Sequence, residues 1–238
     1  MKNYHIKENY TKEEINYYLK SIKNDFREFD NLPSNLKTNK DFVIQAVKQN
    51  GLALQDALCK NTTIYEMAVT QNGLAIQYVN HDTKSYYNIC FRAVTQNGLA
   101  LQHAASWMKG YKDICKAAVE QNGMALQYCS KEMQNDKDVC LAAVTRNSEA
   151  FKFCSDILKK DKAFVIAAVM QSGILLEYCS EPMKNDKNVC LAAVTQKGKA
   201  LQFCSETMRN DKEVCLAAVT QNGWAFQYCS DILKNDKE

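Results

Sequence analysis

The chain is short of the residues that make tight turns: 238 residues include only 8 Gly and 2 Pro. That scarcity excludes an all-β chain built on many hairpins. Histidine is as rare, with His5, His81 and His103 only, so a zinc site is poorly supplied with imidazoles. The longest apolar run, Phe164 to Met170, falls far short of the ~18–20 residues that span a bilayer. No apolar stretch accompanies the opening Met1-Lys2-Asn3-Tyr4-His5-Ile6-Lys7-Glu8, where a signal peptide would need one. Charge of one sign is lacking too. Thirty Lys and Arg against 27 Asp and Glu leave a dispersed +3, which excludes the basic footprint of a nucleic-acid binder. Glycine-rich phosphate loops, Gly-x-Ser-x-Gly and His-Glu-x-x-His are absent. The expectation is a soluble protein of the reducing cytoplasm. It would be no enzyme, hold no cofactor, and bind neither nucleic acid nor membrane.

What is present is apolar residues at 46%, charged residues at 24%, and 11 Cys. The first two are ordinary globular values and exclude disorder. The third follows from a repeat. Val recurs after Ala at 47, 69, 94, 119, 144, 169, 194 and 219, spaced once by 22 and then six times by 25. A period held that long defines a tandem array. Eight units run from about Asn39 to Glu238, and residues 1–38 do not match them.

Each unit divides into two amphipathic segments. In the first, Val139, Cys140, Ala143 and Val144 lie at i, i+1, i+4 and i+5, one face of a helix. Asp136, Asp161, Asp186 and Asp211 precede these segments as N-caps. In the second, Ala125, Leu126, Cys129 and Met133 follow the same logic. Asn-Gly stands between the two in most units, where a glycine in the left-handed C′ conformation would end the first helix. The spacing therefore predicts a helix–turn–helix hairpin with roughly 10 residues per arm. On this reading Ser148, at the glycine position, carries strain. Hairpins this small cannot bury their own apolar faces, so the units must stack into an all-α solenoid.

Before the array, Thr11-Lys12-Glu13-Glu14 has the form of a capping box. Ile15, Tyr18, Leu19, Ile22, Phe26 and Phe29 then make a helical stripe that breaks at Leu32-Pro33. Residues 1–38 are read as a capping helix and linker covering the first repeat; the alternative is an amphipathic helix that binds a partner. At the other end, Asn235-Asp236-Lys237-Glu238 repeats the opening of a unit. Either the array is cut short there or its last hairpin leaves an uncapped apolar edge.

The stretch Asn210 to Tyr228, Asn-Asp-Lys-Glu-Val-Cys-Leu-Ala-Ala-Val-Thr-Gln-Asn-Gly-Trp-Ala-Phe-Gln-Tyr, resembles a tandem repeat family catalogued as a domain of unknown function (DUF 4116). The resemblance covers about residues 39–238 and implies stacked helical units. It implies no activity. The first two units depart from the pattern, with Asp56 where later units have an aromatic and Lys60-Asn61-Thr62 shortening the connection.

Ten of the 11 cysteines form two ladders. Cys90, Cys115, Cys140, Cys190 and Cys215 share a position in the first segment, and Cys129, Cys154, Cys179, Cys204 and Cys229 one in the second. Other units hold mostly Val or Ala there, which marks a small buried apolar site. Metal-cluster binding and redox chemistry are the alternatives. The repeated Gln55, Gln77, Gln102, Gln127, Gln202 and Gln227 read as a solvated or inter-repeat row, and the adjoining Tyr78, Tyr128, Tyr178 and Tyr228 as packing.

Variation between units points to binding. One position runs Leu52, Leu74, Leu99, Met124, Glu149, Ile174, Lys199, Trp224; another runs Gln45, Met67, Arg92 and then Ala. Variable rows on a solenoid face solvent and bind extended partners, and apolar residues in them make an exposed stripe. Partial burial against the next hairpin is the competing reading. Leu74, Leu99, Met124, Glu149, Ile174, Lys199, Trp224 and Arg92 are accordingly the candidate partner-binding residues. The expected function is a non-enzymatic protein-interaction scaffold. The rival is a structural protein that self-associates through its array ends, above all the C-terminal edge.

Overall fold

The structure, a computed structural model, describes residues 10–235. Helices, turns and loops account for those residues, with no strand among them. No helix among them is long and apolar enough to cross a membrane. The chain clusters into two units, Met1–Gln121 and Asn122–Glu238.

The long helices are α1 (Lys12–Asn24), α2 (Lys40–Gln49), α3 (Thr62–Gln71), α4 (Tyr86–Gln96) and α5 (Lys112–Gln121) in the first unit. The second holds α6 (Lys137–Arg146), α7 (Lys162–Gln171), α8 (Lys187–Gln196) and α9 (Lys212–Gln221). The acidic caps act as the sequence predicts. Asp136 accepts from the N–H groups of Asp138 and Val139, and Asp161, Asp186 and Asp211 repeat that geometry. In α2 and α3, Asn39 and Asn61 take the same role. Each helix turns its small apolar stripe inward: Val139, Cys140, Ala143 and Val144 are fully buried.

The second arm differs from the expected ten-residue α-helix. It is a six-residue 3₁₀ helix, as in Gly73–Tyr78 or Gly123–Tyr128, followed by a break and a short helical piece of up to five residues such as Asp156–Lys160. Three residues per turn set Leu126 and Cys129 on one side, so the buried positions that read as an α-helical stripe also satisfy the tighter helix. Asn starts this helix: the side-chain oxygens of Asn72, Asn97 and Asn122 each accept at 3.0 Å from the N–H two residues on. The Cys that follows is extended (φ −68°, ψ 156° at Cys129) and ends it. Ser155, Ser205 and Ser230 then cap the short pieces.

The glycines are there for a reason other than the expected one. No described residue has positive φ, glycine included. What they need is closeness: a Cβ on Gly98 would lie 2.3 Å from the carbonyl oxygen of Ala118 in the next repeat, and one on Gly198 2.4 Å from that of Ala218. The same contact is a clamp. The Gly73 and Gly98 N–H groups donate to the side-chain oxygens of Gln96 and Gln121 at 2.6 Å. Gln71, Gln196 and Gln221 hold Gly51, Gly173 and Gly198 in the same way. Ser148 is not left-handed, so the strain read from sequence is absent. Its hydroxyl pairs with that of Ser172 at 2.8 Å, and α6 and α7 on either side pack less closely than α7 with α8.

The capping box is formed: Thr11 Oγ1 accepts from Glu14 N–H at 3.2 Å, and Glu14 Oε2 accepts from Thr11 N–H at 3.0 Å. Helix α1 packs on α2 and so covers the first repeat. It does this on the repeat's own plan. Asp25 (φ −147°, ψ 112°) opens a 3₁₀ turn at Phe26–Phe29 as Asn50 (φ −150°, ψ 110°) opens Gly51–Leu54, 25 residues on. The stacked pair Phe29–Phe42, with ring centroids 6.2 Å apart, recurs as Phe151–Phe164 at 6.3 Å.

Candidate partner-binding surface

The first residue after each glycine lies where a fixed backbone presents a variable side chain. Asn side chains accept from the N–H groups of Leu52, Leu74, Leu99, Met124, Glu149 and Trp224 at 2.9–3.2 Å. The side chains then diverge. Leu74 and Leu99 in the first unit are half-buried, as is Met124 at the start of the second. Glu149, Ile174, Lys199 and Trp224 are exposed, Trp224 at 77%. The row is thus partly packing and partly free surface.

Arg92 is set apart from that row. It projects from α4 into a cavity of about 570 Å³ lined with Glu66, Thr70, Asn88, Phe91, Thr95 and Gln96. A neighbouring cavity of about 370 Å³ adds Lys48 and Met67. Both charges, Arg92 and Glu66, face this groove, so it can receive polar groups of either sign.

The cysteine ladders are core. All ten thiols are buried, and Cys59 alone is half-buried. First-ladder thiols donate to backbone carbonyls, Cys190 to Lys184 at 3.0 Å and Cys215 to Arg209 at 3.0 Å. Burial pushes Cys90 and Cys179 up to about 12, which keeps them protonated at neutral pH. Contact with Cys154, reinforced by burial, pushes Cys140 up further. Thiolates are the metal-binding and nucleophilic form, so this environment suits packing. Among the described residues, no three His, Cys, Asp or Glu side chains come together where they could hold a metal ion. The Gln and Tyr rows meet across one seam, where the Tyr78 hydroxyl donates to Gln55 Oε1 at 2.7 Å.

Two sets of residues escaped the sequence reading. The clamping glutamines sit two residues before the glycine of their own repeat, as in Thr95-Gln96-Asn97-Gly98; that recurrence is visible in the sequence, but their reach into the preceding repeat is not. The other set is aromatic. His81, Tyr86, Trp107, Tyr111 and Tyr87 form a chain of ring contacts with centroids 5.0–6.2 Å apart. Tyr86 is buried and its hydroxyl accepts from Ala105 N–H at 3.0 Å; burial raises its pKa to about 12. Tyr87 and Tyr111 occupy the positions that Lys187 and Asp211 fill in the second unit, where the pair is ionic at 2.9 Å.

A recurring seam, a repeated backbone plan and variable outward side chains define a tandem helical-repeat protein, an all-α solenoid. The sequence profile described as "Domain of unknown function (DUF4116)" matches residues 16–58, 62–109, 111–159, 140–184, 161–209 and 211–238, and the chain belongs to that family. The first match begins inside α1, in keeping with the repeat geometry of the N-terminal segment. No match was found among curated proteins or solved structures.

Proposed function

We propose that the chain is a non-enzymatic scaffold that binds a protein partner along the row Met124, Glu149, Ile174, Lys199. The observation that carries this reading is a backbone that starts its 3₁₀ helix with the same geometry in successive repeats (φ −148° to −151°, ψ 103° to 112° at Asn122, Asn147, Ser172 and Lys197), bearing side chains that all differ and of which Glu149, Ile174 and Lys199 are exposed. A surface of this kind costs little ordering entropy on binding, because its backbone is already fixed. It reads a partner by sequence-specific contacts at a spacing of one repeat. Ile174 supplies an apolar anchor between the opposite charges of Glu149 and Lys199, a pattern that favours an extended segment carrying charges in the reverse order. Repetition argues in the same direction, since a catalytic group is singular in its chain and the distinctive residues here are copied. The partner acts where the chain resides, read from composition as the reducing cytoplasm.

Proximity labelling with the wild type and with the triple variant Glu149→Ala/Ile174→Ser/Lys199→Ala tests the proposal. All three positions are exposed, so the variant keeps its fold. Loss of specific neighbours, with an unchanged circular dichroism spectrum, is the expected result. An identical set of neighbours would overturn the assignment of this row.

A further inference from the structure

Glu66 and Arg92 depart from the repeat, and its structural plan does not use them. Where α3 has Glu66, the helices α6 and α7 carry Leu141 and Ile166; where α4 has Arg92, they carry Ala142 and Ala167. Neither charged side chain caps a helix or clamps a glycine. Among the described residues, neither makes an ion pair or a side-chain hydrogen bond, with the other or with any neighbour. The same holds for the side chains of Lys48 and Asn88 close by. In the second unit such charges are paired: Lys187 meets Asp211 at 2.9 Å and Glu213 at 2.8 Å.

The surface that carries these groups is concave. The cavity of about 570 Å³, lined by Glu66, Asn88, Phe91 and Arg92, falls within the roughly 300–1,000 Å³ of small-ligand sites. The cavity of about 370 Å³ beside it shares Glu66, Thr70 and Arg92 and adds Lys48. Two cations and one carboxylate thus line that second hollow, all without partners. The Thr70 and Thr95 hydroxyls donate to the Glu66 and Phe91 carbonyls at 2.7 and 2.8 Å, so toward a ligand they act as acceptors.

We propose that this groove binds a small zwitterion with two carboxylates and one ammonium, the chemistry of an acidic α-amino acid. Arg92 takes one carboxylate through its planar fork, and Lys48 takes the other as a point charge. Glu66, half-buried, accepts from the ammonium together with the threonine hydroxyls. The Phe91 ring, 40% exposed, covers the methylenes of the ligand. The three charged side chains sum to +1 and such a ligand to −1. A dicarboxylate without the ammonium would leave Glu66 facing like charge, and a neutral amino acid would leave one cation unpaired. This site lies wholly in the first unit and does not rest on the row proposed above.

A nuclear magnetic resonance titration of the full chain, following the amides of α3 and α4, tests it. The probes are L-glutamate and L-aspartate, with glutarate, which lacks the ammonium, and L-glutamine, which lacks the second carboxylate. At least one acidic amino acid should shift those amides saturably. Each control should bind about ten-fold more weakly or worse, having lost one hydrogen-bonded charge. Arg92→Gln should weaken binding by a similar factor with an unchanged circular dichroism spectrum. Glu66→Gln should bind glutamate and glutarate alike, a reversal of preference that loss of fold would not produce. Lys199→Ala should leave binding intact. The absence of a saturable shift with either acidic amino acid overturns the proposal. So does glutamine or glutarate binding the wild type as tightly as glutamate, or binding that survives Arg92→Gln undiminished.

Discussion

The two units use one set of positions for different ends. In the first, Leu52, Leu74 and Leu99 are the same residue type and half-buried; in the second, Glu149, Ile174, Lys199 and Trp224 differ and are exposed. Their seams differ as well. Where the first unit sets Tyr87 edge-to-face on Tyr111, with centroids 5.8 Å apart, the second uses ion pairs: Lys137–Asp161 at 2.6 Å, Lys162–Asp186 at 2.7 Å and Lys187–Asp211 at 2.9 Å. The second unit adds hydroxyl stitches, Ser205 to Asn185 at 2.6 Å and Ser230 to Asn210 at 2.5 Å. One backbone plan therefore tolerates aromatic or ionic seams, and it leaves the row after glycine free to vary only where the side chain is not packed.

The glycine clamp, common to both units, should give the largest effect. Gly98→Ala and Gly198→Ala each place a Cβ against a backbone oxygen, and neither helix can move without opening its seam. A loss of about 2–3 kcal/mol is expected for each by urea unfolding, the upper range for overpacking. A loss in one unit alone would mean that the seams differ in closeness as well as chemistry. Next, Tyr86→Phe leaves the Ala105 N–H without its acceptor and should cost about 1–3 kcal/mol in the first unit. An unchanged stability would show that this aromatic cluster is not a seam.

Acid should separate the units. The Lys137 ammonium holds Asp161, and the Lys187 ammonium holds Asp211, below the usual carboxylate range. A lowered carboxylate contributes stability that is complete above the unfolded pKa of about 3.9 and is lost as pH falls through the folded value. The Tyr87–Tyr111 ring contact carries no charge. Hydrogen exchange below about pH 4 should thus release the Gly198 amide before the Gly98 amide, and salt should weaken the same ionic seams by screening. Simultaneous release would remove the distinction. The smallest effect belongs to Ser148→Gly. It loses one hydroxyl pair with Ser172 and allows Gln171 to take the amide, two terms of about 1 kcal/mol and opposite sign. The melting temperature should hardly move, where a left-handed turn would have given a clear rise.

Much of this architecture could be read from period alone. The 25-residue register, the Asp caps and the buried Cys ladders depend on local periodicity, and the structure has all three. The second arm was misread because Ala125, Leu126 and Cys129 fit three residues per turn as well as 3.6, so burial pattern alone does not separate the helices. Asn-Gly was misread for a related reason. The pair marks both a left-handed turn and a close approach, and only the carbonyl of Ala118 decides between them. The N-terminal segment hid its kinship because Asp25 keeps the geometry of Asn50 while the residues around it diverge. In the candidate row, variability was legible and exposure was not, since exposure depends on what the next repeat covers.

The division of that row into packing and reading halves is tested most directly by two variants measured side by side. Leu74→Ala/Leu99→Ala should lower the melting temperature, each truncation costing about 1–2 kcal/mol of buried apolar surface, and should retain specific partner capture once folded. Glu149→Ala/Ile174→Ser/Lys199→Ala should keep the melting temperature and lose capture. The reverse assignment, with capture lost through the two leucines in folded protein and kept by the triple variant, would contradict the account.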